Sequence, residues 1–268
     1  GARSILIGQS VARYFIFDGM RAIDYLTSRP DVDGNRIGVT GCSGGGAITT
    51  YVAAFDKRVK AAAPGCYIST YRTLFTGPTA DSEMTLPFFL ANGFDTADLF
   101  EVAAPLPWLM MATTEDYFTP ESARPVYEET RRFYRLYGAE DRVRYFVGQG
   151  PHGTPRDSRE EIYRWMSRWL KDGHDEPRDE PVKQVINQDL LVTASGHVDD
   201  EPGSRKLYQI IGEEFRKLRK PLGGKELLGE LQKLGVPRTG PAPAAVVLLQ
   251  TTHPDYRAEQ IRFESETG

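Results

Sequence analysis

Apolar positions along this chain change their period several times, and each change marks an element. Within residues 10–29, Val11, Tyr14, Phe15, Ala22, Tyr25 and Leu26 recur at helical spacing and stop before Pro30, which predicts an amphipathic helix. Residues 31–35, Asp-Val-Asp-Gly-Asn, read as a turn. Ile37 and Val39 then predict a short buried strand, followed by a Gly- and Ala-rich helix over residues 45–54. A second strand is expected over 59–63, ended by Pro64 and Gly65. Residues 66–104 break the rhythm with Tyr67, Tyr71, Phe75, Phe88, Phe89, Phe94 and Phe100 among turn formers. That composition suits a cover over a site or a pocket wall, and equally packing against the domain.

The sheet pattern resumes over 107–113, with Trp108, Leu109, Met110 and Met111. A polar loop leads to a helix with Val126, Tyr127, Thr130, Phe133, Tyr134 and Tyr137 on its inner side, stopped by Gly138. Residues 142–147 alternate as a strand, and 148–153 form a further loop. Ile162, Trp165, Met166, Trp169 and Leu170 then give the strongest helical period in the chain. The charged, Pro-containing run 171–181 reads as a boundary. Beyond it the pattern predicts a strand at 188–194, helices at 205–219 and 226–234, a linker at 236–244 and strands at 246–249 and 256–263. Strands alternating with small-residue helices imply an α/β fold, a mostly parallel sheet with helices on both faces. Residues 1–175 are expected to form the catalytic portion and 176–268 a linker with a helical and strand extension.

Composition narrows the function classes. The 268 residues are 40% hydrophobic and 26% charged with a net charge of −4, so no electrostatic attraction to nucleic acid or anionic membrane is expected. No stretch reads as a membrane span, and the first residues lack the order of a signal peptide, leaving the compartment open. Two cysteines, Cys42 and Cys66, read as separate buried thiols or as a pair at one sheet edge. Four histidines without ligand spacing give no reason to expect a metal, and no cofactor is expected.

The chemistry centres on Gly41-Cys42-Ser43-Gly44-Gly45, a Gly-x-Ser-x-Gly turn directly after the first strand. Such a turn needs glycines where a Cβ would strike the neighbouring backbone, and it presents a serine hydroxyl at a helix N-terminus. A serine becomes nucleophilic when an imidazole takes its proton, and a carboxylate fixes that imidazole's tautomer. Asp116, with adjacent Glu115 as its substitute, follows one later strand and His152 follows the next, in the chain order Ser, Asp, His. His174, His197 and His253 lie in expected linkers or the terminal region. The amide of Gly44 is the expected oxyanion donor, with a second expected from a loop after an earlier strand. Cys42, Tyr67 and Tyr117 are the expected substrate-binding residues, and Gly153 leaves room beside His152.

Over residues 18–170 the chain resembles the catalytic half of alpha/beta-hydrolases, more closely the bacterial acetyl xylan esterase-like proteins related to the prolyl oligopeptidase and dienelactone hydrolase groups. The resemblance is carried by Asp18-Gly-Met-Arg-Ala-Ile-Asp-Tyr-Leu26, Arg36-Ile-Gly-Val-Thr-Gly-Cys-Ser-Gly-Gly-Gly46, Ala61-Ala-Ala-Pro64, Thr114-Glu-Asp-Tyr-Phe118, Gly138-Ala-Glu-Asp-Arg-Val143 and Gly150-Pro-His-Gly153. It implies Ser43 as nucleophile, Asp116 as orienter and His152 as base. Those families place several strands before the helix at residue 10, so a fragment, a processed chain or half of an assembly is expected. The resemblance also implies that 182–268 links one module to the next. An exposed sheet edge leads to the expectation of a homo-oligomer, or of association with a missing N-terminal half.

The leading functional expectation is a serine esterase acting on a small ester or acylated saccharide through an acyl-enzyme. A serine peptidase of the prolyl oligopeptidase type and a non-catalytic hydrolase-like module are the alternatives.

Overall fold

A computed structural model describes residues 1–77, 81–171, 173, 178–182, 185–233 and 244–263. His174 lies outside the described residues, as does nearly all of the expected linker at 236–244. In chain order the elements are α1 (Ala2–Ile5), α2 (Ala12–Ser28), β1 (Ile37–Cys42), α3 (Gly44–Phe55), β2 (Val59–Gly65), α4 (Tyr71–Thr76) and α5 (Thr96–Glu101). There follow β3 (Trp108–Glu115), α6 (Pro120–Arg135), β4 (Val143–Pro151), α7 (Arg156–Leu170), α8 (Leu207–Leu218), α9 (Gly224–Lys233), β5 (Ala245–Thr252) and β6 (Arg257–Phe263). No described helix is long and apolar enough to cross a membrane.

The strands β1 to β4 form one parallel sheet in sequence order. Because strand side chains alternate between faces, each central strand feeds two cores. Ala62 of β2 and Trp108, Met110 and Ala112 of β3 face one core with residues of α2, α3, α5 and α6. Ala61, Ala63, Leu109 and Met111 face the other, closed by Ile162 and Trp165 of α7. The expected helices on both faces are therefore present. The three consecutive alanines of β2 leave little side-chain bulk between the helical layers.

Pro64 does not end β2, as the sequence pattern expects; the strand runs on to Gly65. Alternate amides of β2 point towards β3: Ala62 donates to the Pro107 carbonyl and Cys66 to that of Met111, each at 3.0 Å. Pro64 stands between them without an N–H. The pairing of β2 with β3 is correspondingly interrupted, with partners at Ala62 and Gly65.

The aromatic segment after β2 packs in part against the first core. Tyr71, Leu74, Met84, Leu99 and Phe100 are buried there, while Phe75, Phe88 and Phe94 are exposed. The Phe100 ring meets Trp108 edge-on at 4.9 Å, and the indole N–H donates to the Phe100 carbonyl at 3.2 Å. Outside β1, an open groove of about 510 Å³ is lined by apolar residues including Ala22, Leu26, Val39 and Ile48. β1 is an edge strand of this sheet among the described residues.

Helix α2 is tied to the end of α3 by Arg58. Its guanidinium donates to Asp24 at 2.6 Å, to the Met20 carbonyl at 3.3 Å and to the buried Asp56 carboxylate, with Nε 2.9 Å from Oδ1. Hydrogen bonding from Arg58 holds the Asp56 carboxyl below its ordinary value. A depressed native pKa stabilises the fold fully above the unfolded carboxylate value of about 4, and this contribution is lost as pH falls through the lower native value. Asp56→Asn is therefore expected to lower stability at neutral pH, with the gap to the parent closing in acid. Urea melts at both pH values check this; a gap independent of pH would assign the effect to packing.

The described chain divides into two compact units, Gly1–Leu218 and Arg219–Gly268. The first unit runs past the expected boundary at residue 175 because α8 returns to the N-terminal helices. Glu214 meets Arg13 at 3.7 Å and the Tyr14 hydroxyl at 3.5 Å, and Arg3 lies over the Tyr208 ring at 5.6 Å. The strand expected at 188–194 is replaced by a 3-10 turn at Asn187–Leu190, with no partner strand for it among the described residues. In the second unit β5 and β6 form an antiparallel hairpin whose residues are all exposed.

Candidate active site

Four parallel strands bring their C-terminal ends to one edge of the sheet, and each is followed at once by a chemically distinct residue. Ser43 follows β1, Cys66 follows β2, Asp116 follows β3 and His152 follows β4. Register places the last two side by side, because Glu115 pairs with Pro151 and the next residues are Asp116 and His152.

Ser43 has φ 60° and ψ −128° at the N-cap of α3. This conformation is costly for any residue with a Cβ, on the order of 1–3 kcal/mol. It is held by the Ser43 amide donating to the Gly65 carbonyl at 2.9 Å and by the Ser43 carbonyl accepting from Ala47 at 3.0 Å. The flanking glycines make the turn possible. A Cβ on Gly41 would stand 2.3 Å from the Gly45 carbonyl oxygen, and one on Gly46 would stand 2.3 Å from that of Gly65. Gly41→Ala is accordingly expected to destabilise the protein by about 3 kcal/mol, since backbone rather than a movable side chain is struck; urea unfolding checks it.

Asp116 is buried, with its carboxylate wholly inside. It accepts from the Phe118 amide at 2.9 Å, from the Thr113 hydroxyl at 3.3 Å, and from His152 Nδ1, which lies 2.9 Å from both carboxylate oxygens. With Nδ1 occupied, the imidazole's other nitrogen, Nε2, is left for a reacting partner. The half-buried His152 ring stacks on Tyr117, with centroids 4.8 Å apart and planes at 23°. Cys66, Asp116 and His152 offer donor atoms within 4.8 Å of one another. Those of Asp116 are already taken by the three hydrogen-bond donors, the pattern of an oriented acid and imidazole.

The structure thus joins Asp116 to His152 directly. The Ser43 hydroxyl makes no hydrogen bond among the described residues; in ligand-free sites this contact is often loose. The Gly44 amide, first in α3, likewise has no acceptor among the described residues. Of the expected substrate-binding residues, Tyr117 is half exposed beside His152 and Cys42 is partly exposed beside Ser43. Tyr67 lies elsewhere: it is 2% exposed in the first core and its hydroxyl donates to Thr50, so its ring supports α3.

Sequence reasoning missed four contributors. Thr113 and the Phe118 amide hold Asp116, and only the spacing around a strand-end aspartate could have suggested them. Glu83, in the aromatic segment, brings a carboxylate oxygen to 2.7 Å from where a Gly44 Cβ would stand. Cys66 donates through Sγ to the Gly153 carbonyl at 3.0 Å. Its place directly after β2 was the available signal.

Comparison with known proteins agrees with this architecture. Residues 9–90 match the family model of the acetyl xylan esterases (AXE1). YtaP of Bacillus subtilis (strain 168), a hydrolase by name, is 29% identical over 169 residues, covering 62% of this chain and 56% of YtaP. The acetyl esterase Axe7A of Xylanibacter ruminicola is 55% identical over 42 residues, 16% of this chain and 10% of Axe7A. Among solved structures, a glucuronoyl esterase from Caldicellulosiruptor kristjansonii superposes with a TM-score of 0.53 at 17% identity, over 67% of this chain and 55% of that one. The catalytic domain of the Hypocrea jecorina glucuronoyl esterase gives 0.52 at 18%, over 69% and 59%. The chain therefore spans little more than half the length of YtaP and of these two esterases. Together the sheet, the elbow and these likenesses give the chain the fold of the similar esterases, with a segment at residues 9–90 that matches the acetyl xylan esterase family model.

Proposed function

We propose that the protein is a serine carboxylic-ester hydrolase acting on an acylated saccharide or small acyl ester. The observation that carries this reading is the His152 imidazole bound through Nδ1 to a buried carboxylate, on the same sheet edge as a serine at φ 60°. In the proposed cycle His152 Nε2 takes the Ser43 proton while Oγ attacks the ester carbonyl. Asp116 stabilises the resulting imidazolium, and the Gly44 amide at the positive end of α3 receives developing negative charge. Collapse expels the alcohol, which takes the proton from His152. Water, deprotonated by His152, then releases the acid and restores the serine. The acylated saccharide is suggested by the acetyl xylan esterase match and by the names of the similar esterases.

The test combines p-nitrophenyl acetate hydrolysis with labelling by an alkyl fluorophosphonate. Turnover, with the label mapped to the peptide containing Ser43, is the expected result. A folded protein that neither turns over nor takes the label would defeat the reading. The reading also includes a covered outer edge of β1, filled by a second copy or by the other half of the fold, and the mass in solution reports on this.

A further inference from the structure

The residue after β2 is a thiol at the centre of the site. Cys66 stands between the strand end carrying Ser43 and the pair formed by Asp116 and His152. It is buried, at φ 60°, and its single S–H points to the carbonyl of Gly153, the neighbour of His152. Its Sγ also lies within 4.8 Å of the nearest Asp116 oxygen and His152 nitrogen. The second thiol is close by. Cys42 pairs in register with Gly65, so Cys66 is one residue further along the adjacent strand. Strands about 4.8 Å apart with a rise of about 3.3 Å per residue set two such Cα atoms about 5.8 Å apart. A disulfide spans about 4.4–6.8 Å between Cα atoms.

The environments of the two thiols differ. Contact with Cys66 holds the Cys42 thiol below its ordinary value, whereas the same contact and burial push that of Cys66 up. Cys42 is also the more exposed of the two. One thiol is placed to react first and the other to resolve it.

We propose that Cys42 and Cys66 form a dithiol modification site, converted to a disulfide by a two-electron oxidant of the peroxide class, and that the bond releases the His152 loop. The Cys42 thiolate attacks one peroxide oxygen; the O–O bond breaks, and the departing hydroxide takes the proton given up by Cys42 to leave as water. The resulting sulfenic acid is attacked at sulfur by Cys66. An S–S bond forms, the S–O bond breaks, and the leaving hydroxide takes the Cys66 proton as a second water. Two thiols and one peroxide thus give one disulfide and two waters. Cys66 then has no proton to donate to Gly153, and the loop carrying the imidazole loses that anchor. A shift of about 1 Å in a reacting group can cost about 100-fold in rate. The effect on rate rests on the proposed esterase reading; the disulfide does not.

The experiment treats the intact chain with hydrogen peroxide and follows three readouts: non-reducing peptide maps, His152 imidazole NMR signals and p-nitrophenyl acetate hydrolysis. The expected result is a Cys42–Cys66 linked peptide, a shift of the His152 signals and a fall in rate of about 100-fold, all reversed by dithiothreitol. Cys42→Ser should keep its own starting rate and its own His152 signals through the same treatment. Oxidation of Cys42 to sulfinic acid without a linked peptide would overturn the proposal. So would a linked peptide with unmoved His152 signals, or unchanged hydrolysis in an active preparation. If the reduced chain hydrolyses nothing, the esterase reading fails, while the linked peptide and the His152 signals still decide the thiol proposal.

Discussion

Ser43→Ala should lower kcat for p-nitrophenyl acetate by about a millionfold, the scale on which removal of a serine nucleophile acts. At 1.36 kcal/mol per tenfold this is about 8 kcal/mol of barrier. Alanine keeps the Cβ and so the same strain at φ 60°, and the hydroxyl makes no hydrogen bond among the described residues. The unfolding midpoint should therefore remain near that of the parent. Ser43→Gly gives the complementary result: equally inactive, yet more stable by about 1 kcal/mol, because glycine accepts positive φ without the Cβ penalty. Stopped assays with paired urea melts test both. Residual hydrolysis within tenfold of the parent would remove Ser43 from the chemistry.

The second large effect belongs to Asp116→Asn, with an expected loss of about 10,000-fold in kcat. Asparagine is nearly isosteric: its one oxygen can still accept from the Phe118 amide, while its NH2 would face the Thr113 hydroxyl, which can turn to accept. The difference falls on His152. A carboxylate can only accept from Nδ1, whereas the Asn NH2 can donate to it, which moves the imidazole proton to Nε2 and blocks removal of the serine proton. Nitrogen chemical shifts of the His152 ring read the tautomer independently of rate. A variant with the parental tautomer and rate would show that the carboxylate has no orienting role.

The site was legible in the sequence where local chemistry forces local geometry. The glycines around Ser43 are required by contacts of 2.3 Å, so the elbow is written into adjacent residues. Asp116 and His152 could be found because parallel strands deliver distant residues to one edge, and each sits directly after a recognisable strand. Other features depended on packing that no short stretch encodes. Tyr67 has the composition of a pocket residue, but α3 and Thr50 draw it into the core. The first unit extends to Leu218 because α8 finds partners on Arg13 and Tyr14. β2 passes through Pro64 because β1 and β3 supply pairing on either side of the missing amide.

The unequal burial of the four strands bears on how the molecule fails when heated. β2 and β3 are almost entirely enclosed, whereas β1 and β4 are partly open to solvent along much of their length. Amide protons of edge strands exchange through small local openings that leave the centre intact. Asp116 is fastened to a central strand, but Ser43 and His152 each leave from an edge. Thermal inactivation will therefore run ahead of the loss of far-ultraviolet circular dichroism, with the nucleophile and the base drifting apart while the acid stays in place.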